Sequence, residues 1–418
     1  MINCKQLSNG ITVVLEQIPY LRSAALGIWV KVGSANENKN NNGISHVIEH
    51  MLFKGTTSRT AKQIADDMAR IGGDINAYTS KECTGFYAVT LDEHLPVAIE
   101  ILGDMLNNSL IEPSALEKEK GVIIEEIDMY DDSPEDLVHE MLQLKAWKGH
   151  PLGFQISGTK KAVKSTTRDD ILQFMKTYYV SGNMVISIAG NINEEQILQL
   201  LEENFASIPK GEKSEEGTIP VYRPIIYKKE KDVEQLHLNI AFSSIVADAE
   251  EKYPLTILNS VYGGSLNSRL FQIIRENHGL TYSIYSYGSS YKKAGLFHIY
   301  AAMNPAQLKS VVDYSFEIIE DIKANGLTEE EIYMAKEQIK TELIMGSESA
   351  KNKMNSNGKS ILFKGYITPL EEIIEKLNQV SNRDMITFAN KYLKKELASF
   401  SFVGNLQNIE NMDLGIQL

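Results

Sequence analysis

The spacing of apolar residues along the chain predicts a mixture of short helices and strands. Apolar residues recur at intervals of three and four between Ile44 and Phe53, as is typical of a helix that buries one face. Asn42-Gly43 gives this helix a plausible start, and Gly55 gives it a plausible end. A strand-like run covers 11–16, and an alternating run leads from 76–79 toward 86–91. The chain is therefore predicted to contain both helices and strands.

Two stretches of the chain, 167–192 and 382–406, repeat the same pattern at a constant offset of 214 residues. Each predicts an amphipathic helix followed by a buried strand, at 184–189 in the first copy and 399–403 in the second. Identical residues at this offset include Asp170 and Asp384, Phe174 and Phe388, and Tyr178 and Tyr392. Since the offset is about half the chain, an internal duplication is the best explanation.

The duplication predicts two homologous domains. A chain of 418 residues is too long for one ordinary core. The stretch 209–217 is polar and lacks periodicity, which favours a linker. We therefore predict a first domain at 1–210, a linker at 211–222 and a second domain at 223–418.

Candidate chemistry begins with His46, Glu49 and His50 on the predicted helix. Side chains four residues apart lie on one helical face, so the two imidazoles can bind the same metal ion. Glu49 can reach a water on that metal but is poorly placed to be a tight ligand. The pattern is the inverted H-x-x-E-H motif, which favours a catalytic zinc site over a surface helix that happens to carry two histidines.

A third ligand is predicted on the helical run that follows Pro113, where Ser114 and Glu117 resemble a capping box. A carboxylate here could complete a site of two histidines and one glutamate. Glu125 and Glu126 both adjoin the apolar stripe, and spacing does not choose between them. Glu119 lies two turns before Glu126 on the same face and could hydrogen-bond a ligand.

Three segments give the chain a resemblance to a known family. These are HVIEHMLFKGT at 46–56, NAYTSKE at 76–82 and EKGVIIEE at 119–126. They resemble the pitrilysin/insulinase family of inverted-motif zinc peptidases. Within that family they are most similar to bacterial processing proteases and the β subunit of the mitochondrial processing peptidase. The similarity runs through nearly the whole chain.

The resemblance implies roles for particular residues. It implies that His46, His50 and Glu126 are zinc ligands, which selects Glu126 over Glu125. Glu49 is the implied general base, and Glu119 is the implied supporting glutamate. It also implies a central chamber enclosed by two homologous domains of the α+β class, each a mostly antiparallel sheet covered by helices.

The second domain is predicted to lack a metal site. At the offset of 214, the positions of His46, Glu49, His50 and Glu126 fall on Ser260, Gly263, Gly264 and Lys340. One zinc ion per chain follows. Arg275 and Tyr282 have the spacing of an arginine and a tyrosine that, in the family, contact the substrate from the second domain. There they can donate hydrogen bonds to a carbonyl oxygen that gains negative charge.

The resemblance also implies a substrate-binding strand formed by Asn76, Ala77, Tyr78 and Thr79. Such an edge strand pairs with an extended peptide through its main chain, which suits broad specificity. The alternative interpretation is an ordinary internal strand, and it is a fair competitor for residues 86–91.

Composition indicates the cellular compartment and argues against some classes of partner. The only cysteines are Cys4 and Cys83, which suits a reducing compartment. A net charge of −13 argues against nucleic acid. Neither a signal peptide nor a transit peptide is evident, and no apolar run is long enough for a membrane span. We therefore expect a cytoplasmic protein without a membrane partner.

The sequence as a whole predicts a zinc-dependent endopeptidase that hydrolyses peptides or unfolded and precursor polypeptide segments. The alternative is a noncatalytic assembly or partner subunit of the same fold. A homodimer is expected, because Arg275 and Tyr282 are on the same chain as the metal residues. A heterodimer with an inactive relative is the alternative arrangement.

Overall fold

A computed structural model of the chain describes residues 2–214 and 217–406. Among these, the first compact unit contains 2–128, 154–214 and 344–368, and the second contains 129–153, 218–343 and 369–406. Each unit therefore includes a segment from the opposite half of the chain. Residues 215–216 of the predicted linker and the last twelve residues of the predicted second domain lie outside the described residues. The domain boundaries stay a prediction.

The strands of the two units belong to two separate sheets. In chain order the strands are β1 (Ile2–Gln6), β2 (Thr12–Gln17), β3 (Ser23–Val30), β4 (Asp74–Thr79), β5 (Thr84–Leu91), β6 (Met184–Gly190), β7 (Ile226–Glu230), β8 (Leu236–Ser244), β9 (Thr281–Ser290), β10 (Gly295–Met303) and β11 (Ser399–Gly404).

The sheet topology repeats along the chain. The first sheet has the order β1-β2-β6-β3-β5-β4, and the second has β7-β11-β8-β10-β9. Apart from β1, the two orders correspond strand for strand. The pairs β2–β6 and β7–β11 are parallel, and the other pairs are antiparallel. The predicted duplication into two α+β domains with mostly antiparallel sheets is confirmed.

The helices follow the same repeat. They are α1 (Ile44–Leu52), α2 (Ala61–Arg70), α3 (Leu95–Asn108), α4 (Pro113–Asp132), α5 (Pro134–Ala146), α6 (Lys160–Ser165), α7 (Arg168–Tyr178), α8 (Glu194–Phe205), α9 (Lys252–Tyr262), α10 (Leu308–Asn325), α11 (Glu329–Gly346), α12 (Ala350–Lys364), α13 (Leu370–Gln379) and α14 (Asn382–Tyr392). Helices α7 and α14 begin and end at the predicted offset of 214 residues. No helix in the described residues has the length and apolar character needed to cross a membrane.

The central strand β3 of the first sheet is buried on both faces. On one face, Leu26 and Ile28 of β3 join the core that includes apolar residues of α1, α3 and α4. On the other face, Ala25 and Trp29 of the same strand pack with α12. A strand covered on both faces reads as a nearly continuous apolar run, as β3 does.

Helix α12 is fixed to the first sheet by close packing and by a buried carboxylate. A Cβ atom added to Gly358 would lie 2.1 Å from the Trp29 ring, so only glycine allows this approach. Asn357 Nδ2 donates a hydrogen bond of 2.7 Å to the buried Glu16, which is also paired with Lys353. This helix comes from the second half of the chain but completes the first unit.

Helix α5 makes the reciprocal contact in the second unit. Its Leu137 and Val138 pack against Tyr300, Ala302 and Val403 of the second sheet. Because α5 and α12 follow α4 and α11 at equivalent places in the repeat, the two halves exchange equivalent helices. The exchange was not predicted, since periodicity identifies a buried face without identifying its partner.

A network of polar rings lies where α5 covers the second sheet. The Tyr287 hydroxyl lies 2.9 Å from His139 Nδ1, and the Tyr300 hydroxyl lies 2.9 Å from His237 Nδ1. His298 is fully buried, with Nε2 3.1 Å from Ser289 Oγ. Sequence analysis had no signal for this network, because its members come from distant parts of the chain.

Acid is expected to destabilise this network. Burial lowers the pKa of His139 to about 4, against the opposing effect of Glu135, and lowers that of His298 to about 3. In the unfolded chain both imidazoles take up protons near about pH 6.5. The unfolded state therefore binds more protons, and the free energy of unfolding should fall as the pH drops from about 6.5 to about 4.

Urea denaturation of the zinc-free protein between about pH 7 and about pH 5 measures this effect. A His139→Gln variant should show a shallower decline than wild type, because it has no imidazole at position 139 to take up a proton on unfolding. Identical pH dependence in the two proteins would contradict the assignment to His139.

Candidate metal centre

Helix α1 carries the predicted metal motif, and its start is fixed by a buried carboxylate. Glu37 accepts hydrogen bonds from Gly43 N at 2.7 Å, Ser45 N at 2.9 Å and Asn42 Nδ2 at 2.9 Å. Burial raises the pKa of Glu37, although these bonds oppose the shift. The carboxylate thereby accepts hydrogen bonds from free N–H groups at the helix start. Gly43, which precedes the helix, has no side chain that could do so. Sequence analysis missed Glu37, which lies in a polar stretch resembling an exposed loop.

Gly43 itself is required by the backbone. Its φ angle is +98°, a left-handed conformation that favours glycine. A Cβ atom there would also lie 2.7 Å from the carbonyl oxygen of Ser157. The predicted break at Asn42-Gly43 is confirmed, and the helix begins at Ile44.

His46, His50 and Glu126 converge as predicted. The Nε2 atoms of both histidines lie 3.7 Å from Glu126 Oε2, and the two ring centroids are 4.5 Å apart. The potential ligand atoms of the three residues all lie within 4.8 Å of one another. Glu125 is not part of this group. Among the residues that the structure describes, this is the one group of such side chains that could hold a metal ion.

These residues fit a zinc ion. Two imidazole nitrogens and one carboxylate oxygen are the ligand set of catalytic zinc sites, which leave a further position open. Burial lowers the pKa of His46 to about 4, and the nearby His50 makes a smaller contribution in the same direction. His46 is therefore neutral near pH 7 and can act as a ligand. The predicted zinc cofactor is supported by this geometry.

Glu119 occupies the supporting position. His50 Nδ1 donates a hydrogen bond of 2.8 Å to Glu119 Oε1, and Lys54 Nζ lies 2.7 Å from Oε2. Although burial acts to raise it, contacts with Lys54 and His50 lower the pKa of Glu119. The carboxylate therefore fixes the His50 tautomer and directs Nε2 toward the metal position.

Replacing Glu119 should weaken metal binding without removing a ligand. We expect Glu119→Gln to lower zinc affinity by roughly 10–100-fold, because His50 loses its charged hydrogen-bond partner. Competition with a chromogenic chelator measures the change. Glu117→Gln is the matched control on the same helix, since Glu117 is exposed and pairs with Lys120. Equal zinc affinity in both variants would contradict the supporting role.

Glu49 lies on the same helix but outside the group of potential ligands. Its Oε2 atom accepts a hydrogen bond of 2.5 Å from the Thr79 hydroxyl. Burial raises the pKa of Glu49, while hydrogen bonds from Thr79 and the proximity of His50 lower it. Glu49 is thus a partly buried carboxyl group beside the metal position, held by a neighbouring strand.

The predicted substrate-binding residues Asn76, Ala77, Tyr78 and Thr79 form the end of β4. This strand is an edge of the first sheet, and within the described residues it pairs only with β5. Its position as an edge agrees with the expectation, and β5 is internal. The role of these residues toward a substrate stays a prediction. The contact between Thr79 and Glu49 was not predicted, since nothing in the local sequence links β4 to α1.

Arg275 and Tyr282 are neighbours in the second unit. The Arg275 guanidinium lies 4.7 Å from the centre of the Tyr282 ring and 4.5 Å from that of Phe271. Tyr282 is 78% exposed. Arg275 lies in a π-helical segment, Phe271–Asn277. Their action on a substrate stays a prediction.

The equivalent of the metal site in the second half is filled by other residues. Ser260 lies on α9, and Gly263 and Gly264 directly follow that helix. Lys340 lies on α11, where it pairs with Glu337. None of these residues belongs to a potential metal group in the described parts of the chain.

Comparison with known proteins identifies relatives of this chain. Residues 12–160 match the model described as "Insulinase (Peptidase family M16)", and residues 165–339 match "Peptidase M16 inactive domain". The chain is 40% identical to the uncharacterized zinc protease YmxG of Bacillus subtilis, over 97% of this chain and 100% of that protein. It is 38% identical to an uncharacterized zinc protease of Rickettsia felis, over 93% and 94% of the two chains.

Solved structures show the same fold. A protease from Helicobacter pylori matches with a TM-score of 0.89 and 21% identity, over 97% of this chain and 99% of that chain. A Pseudomonas fluorescens protein titled as a peptidase M16 inactive domain matches with a TM-score of 0.89 and 20% identity, over 97% and 98%. The narrower similarity to the mitochondrial processing peptidase stays a prediction. The chain belongs to the insulinase family of zinc peptidases, peptidase family M16.

Proposed function

We propose that the protein is a zinc-dependent endopeptidase that hydrolyses peptides or unfolded and precursor polypeptide segments, with Glu49 as general base. The arrangement around α1 carries this proposal. His46, His50 and Glu126 provide three ligand atoms, and Glu49 lies on the same helix without belonging to the ligand set. A carboxylate that is separate from the ligands can exchange protons with the reacting groups.

The residues have distinct roles in this mechanism. His46, His50 and Glu126 would hold zinc, which when bound supplies Lewis acidity that activates water and polarises a carbonyl group. Glu49 accepts a proton from the attacking water and later donates it to the leaving amine nitrogen.

Substrate binding is assigned to the edge strand and to the second domain. β4 would pair with an extended peptide through main-chain hydrogen bonds. Tyr282 and Arg275 would donate hydrogen bonds to the carbonyl oxygen as it gains negative charge. A homodimer is part of the proposal, and size-exclusion chromatography with light scattering tests it.

The test is cleavage of a mixed, quenched peptide library by the zinc-loaded protein. Cleavage that stops on chelation, returns with zinc and is lost in Glu49→Gln would support the proposal. No cleavage by folded, zinc-bearing wild type would overturn it. The same result would favour a noncatalytic partner subunit of the same fold.

A further inference from the structure

The proposed general base accepts a short hydrogen bond from the end of an edge strand. Thr79 Oγ1 donates a hydrogen bond of 2.5 Å to Glu49 Oε2, and the Thr79 backbone also faces this carboxylate. We propose that Thr79 is the positioning residue that fixes the Glu49 carboxylate for proton transfer. The inference rests on the proposed function and assigns Thr79 a role other than side-chain contact with the substrate.

The turn after Thr79 is closed by several hydrogen bonds. Ser80 N donates to the carbonyl oxygen of Cys83 at 2.8 Å, and Ser80 Oγ donates to the same oxygen at 2.7 Å. Cys83 N donates in return to Ser80 Oγ at 3.1 Å. Thr79 itself is paired with Thr84 in the β4–β5 register. These bonds leave the backbone of the turn little freedom to move.

A neighbouring loop holds this turn from outside. Ser34 N donates to the carbonyl oxygen of Ser80 at 3.2 Å, and Ala35 N donates to that of Lys81 at 2.7 Å. The approach requires Gly33, because a Cβ atom there would lie 2.2 Å from the Ser80 carbonyl oxygen. The backbone directly after Thr79 is therefore anchored to a second part of the chain.

The residue before Thr79 is anchored as well. Trp29 Nε1 donates a hydrogen bond of 2.8 Å to the Tyr78 hydroxyl, and Trp29 is buried beneath α12. Thr79 thus lies between two fixed neighbours. Its β-branched side chain has few rotamers of its own, so its hydroxyl is presented at a defined place.

The consequence for Glu49 is loss of rotational freedom. A glutamate has several rotatable bonds, whereas a charge-assisted hydrogen bond to a rigid donor selects one carboxylate position. A base must lie within hydrogen-bond distance of the proton that it accepts. A peptide paired with β4 would lie against the strand that also holds the base. The same strand would then position both the substrate and the base.

The test compares Thr79→Val, which keeps the shape but removes the donor, with Thr79→Ser, which keeps the donor. We expect Thr79→Val to lower kcat by roughly 10–100-fold, with KM changed by less than about twofold. Thr79→Ser should recover most of the activity. Zinc affinity, measured by chelator competition without any substrate, should be unchanged in both.

Thr90→Val is the matched control. Thr90 lies on β5 in the same sheet, and its buried hydroxyl has no hydrogen-bond partner among the described residues. The change should leave kcat unaltered. A loss of kcat in Thr90→Val equal to that in Thr79→Val would show a general effect on the sheet and overturn the proposal. A rise in KM alone for Thr79→Val would also overturn it and favour substrate contact.

A double-mutant cycle separates this inference from the proposed function. If Thr79 acts through Glu49, Thr79→Val should cause no further loss in the Glu49→Gln background. Full kcat in Thr79→Val beside an inactive Glu49→Gln would overturn the inference and leave the peptidase assignment intact. Equal turnover of wild type and Glu49→Gln would instead overturn the role of Glu49, and the inference with it.

Discussion

Glu49→Gln should lower the rate of peptide cleavage by roughly 10²–10⁴-fold, the range attributed to a positioned general base. An amide does not accept a proton at neutral pH, so the attacking water loses its base. The amide oxygen can still accept the hydrogen bond from Thr79, and the residue lies outside the group of potential ligands. The variant should therefore keep its fold and its zinc.

Two controls make this result specific. Metal analysis should find one zinc per chain in both proteins, and thermal unfolding should give similar melting temperatures. Cleavage by Glu49→Gln at the rate of wild type would refute the assignment of the base. Loss of zinc from Glu49→Gln would show instead that Glu49 takes part in metal binding.

Glu126→Gln should have the largest effect on metal binding. The change replaces a charged ligand oxygen with a neutral one at a position 3.7 Å from both histidine Nε2 atoms. Zinc affinity should fall by more than the roughly 10–100-fold expected for Glu119→Gln, because Glu119 contacts a ligand rather than the metal. Glu126→Lys should prevent binding, since it places a cation beside the metal position.

Glu125→Gln is the matched control for this prediction. Glu125 precedes Glu126 on α4, is exposed, and does not belong to the potential metal group. Chelator competition should give it the zinc affinity of wild type. Similar losses in Glu125→Gln and Glu126→Gln would mean that the helix contributes general negative charge rather than one ligand.

Much of the metal centre could be predicted from sequence because its geometry is local. His46, Glu49 and His50 share one helix, whose period fixes their relative positions. Glu126 is distant in sequence, and spacing alone did not separate it from Glu125. The family resemblance chose between them, and the structure places Glu126 beside the histidines.

The contacts that orient the site were harder to predict. Glu37 caps α1 from a polar loop, and Thr79 reaches Glu49 from a strand. Each contact joins residues that are unremarkable in their own segments. Period and propensity describe an element by itself, whereas these contacts depend on how two elements meet. The same limit applies to His139 and the rings around it.

The exchange of α5 and α12 affects how the protein can be made. A ribosome synthesises all six strands of the first sheet before it reaches α12. Until then, the sheet face that bears Trp29 lacks its cover. Domains commonly fold in the order of their synthesis, but the unit that holds the metal helix cannot be finished before residues 344–368 have emerged. A nascent or truncated first half would therefore present an uncovered apolar surface that attracts chaperones.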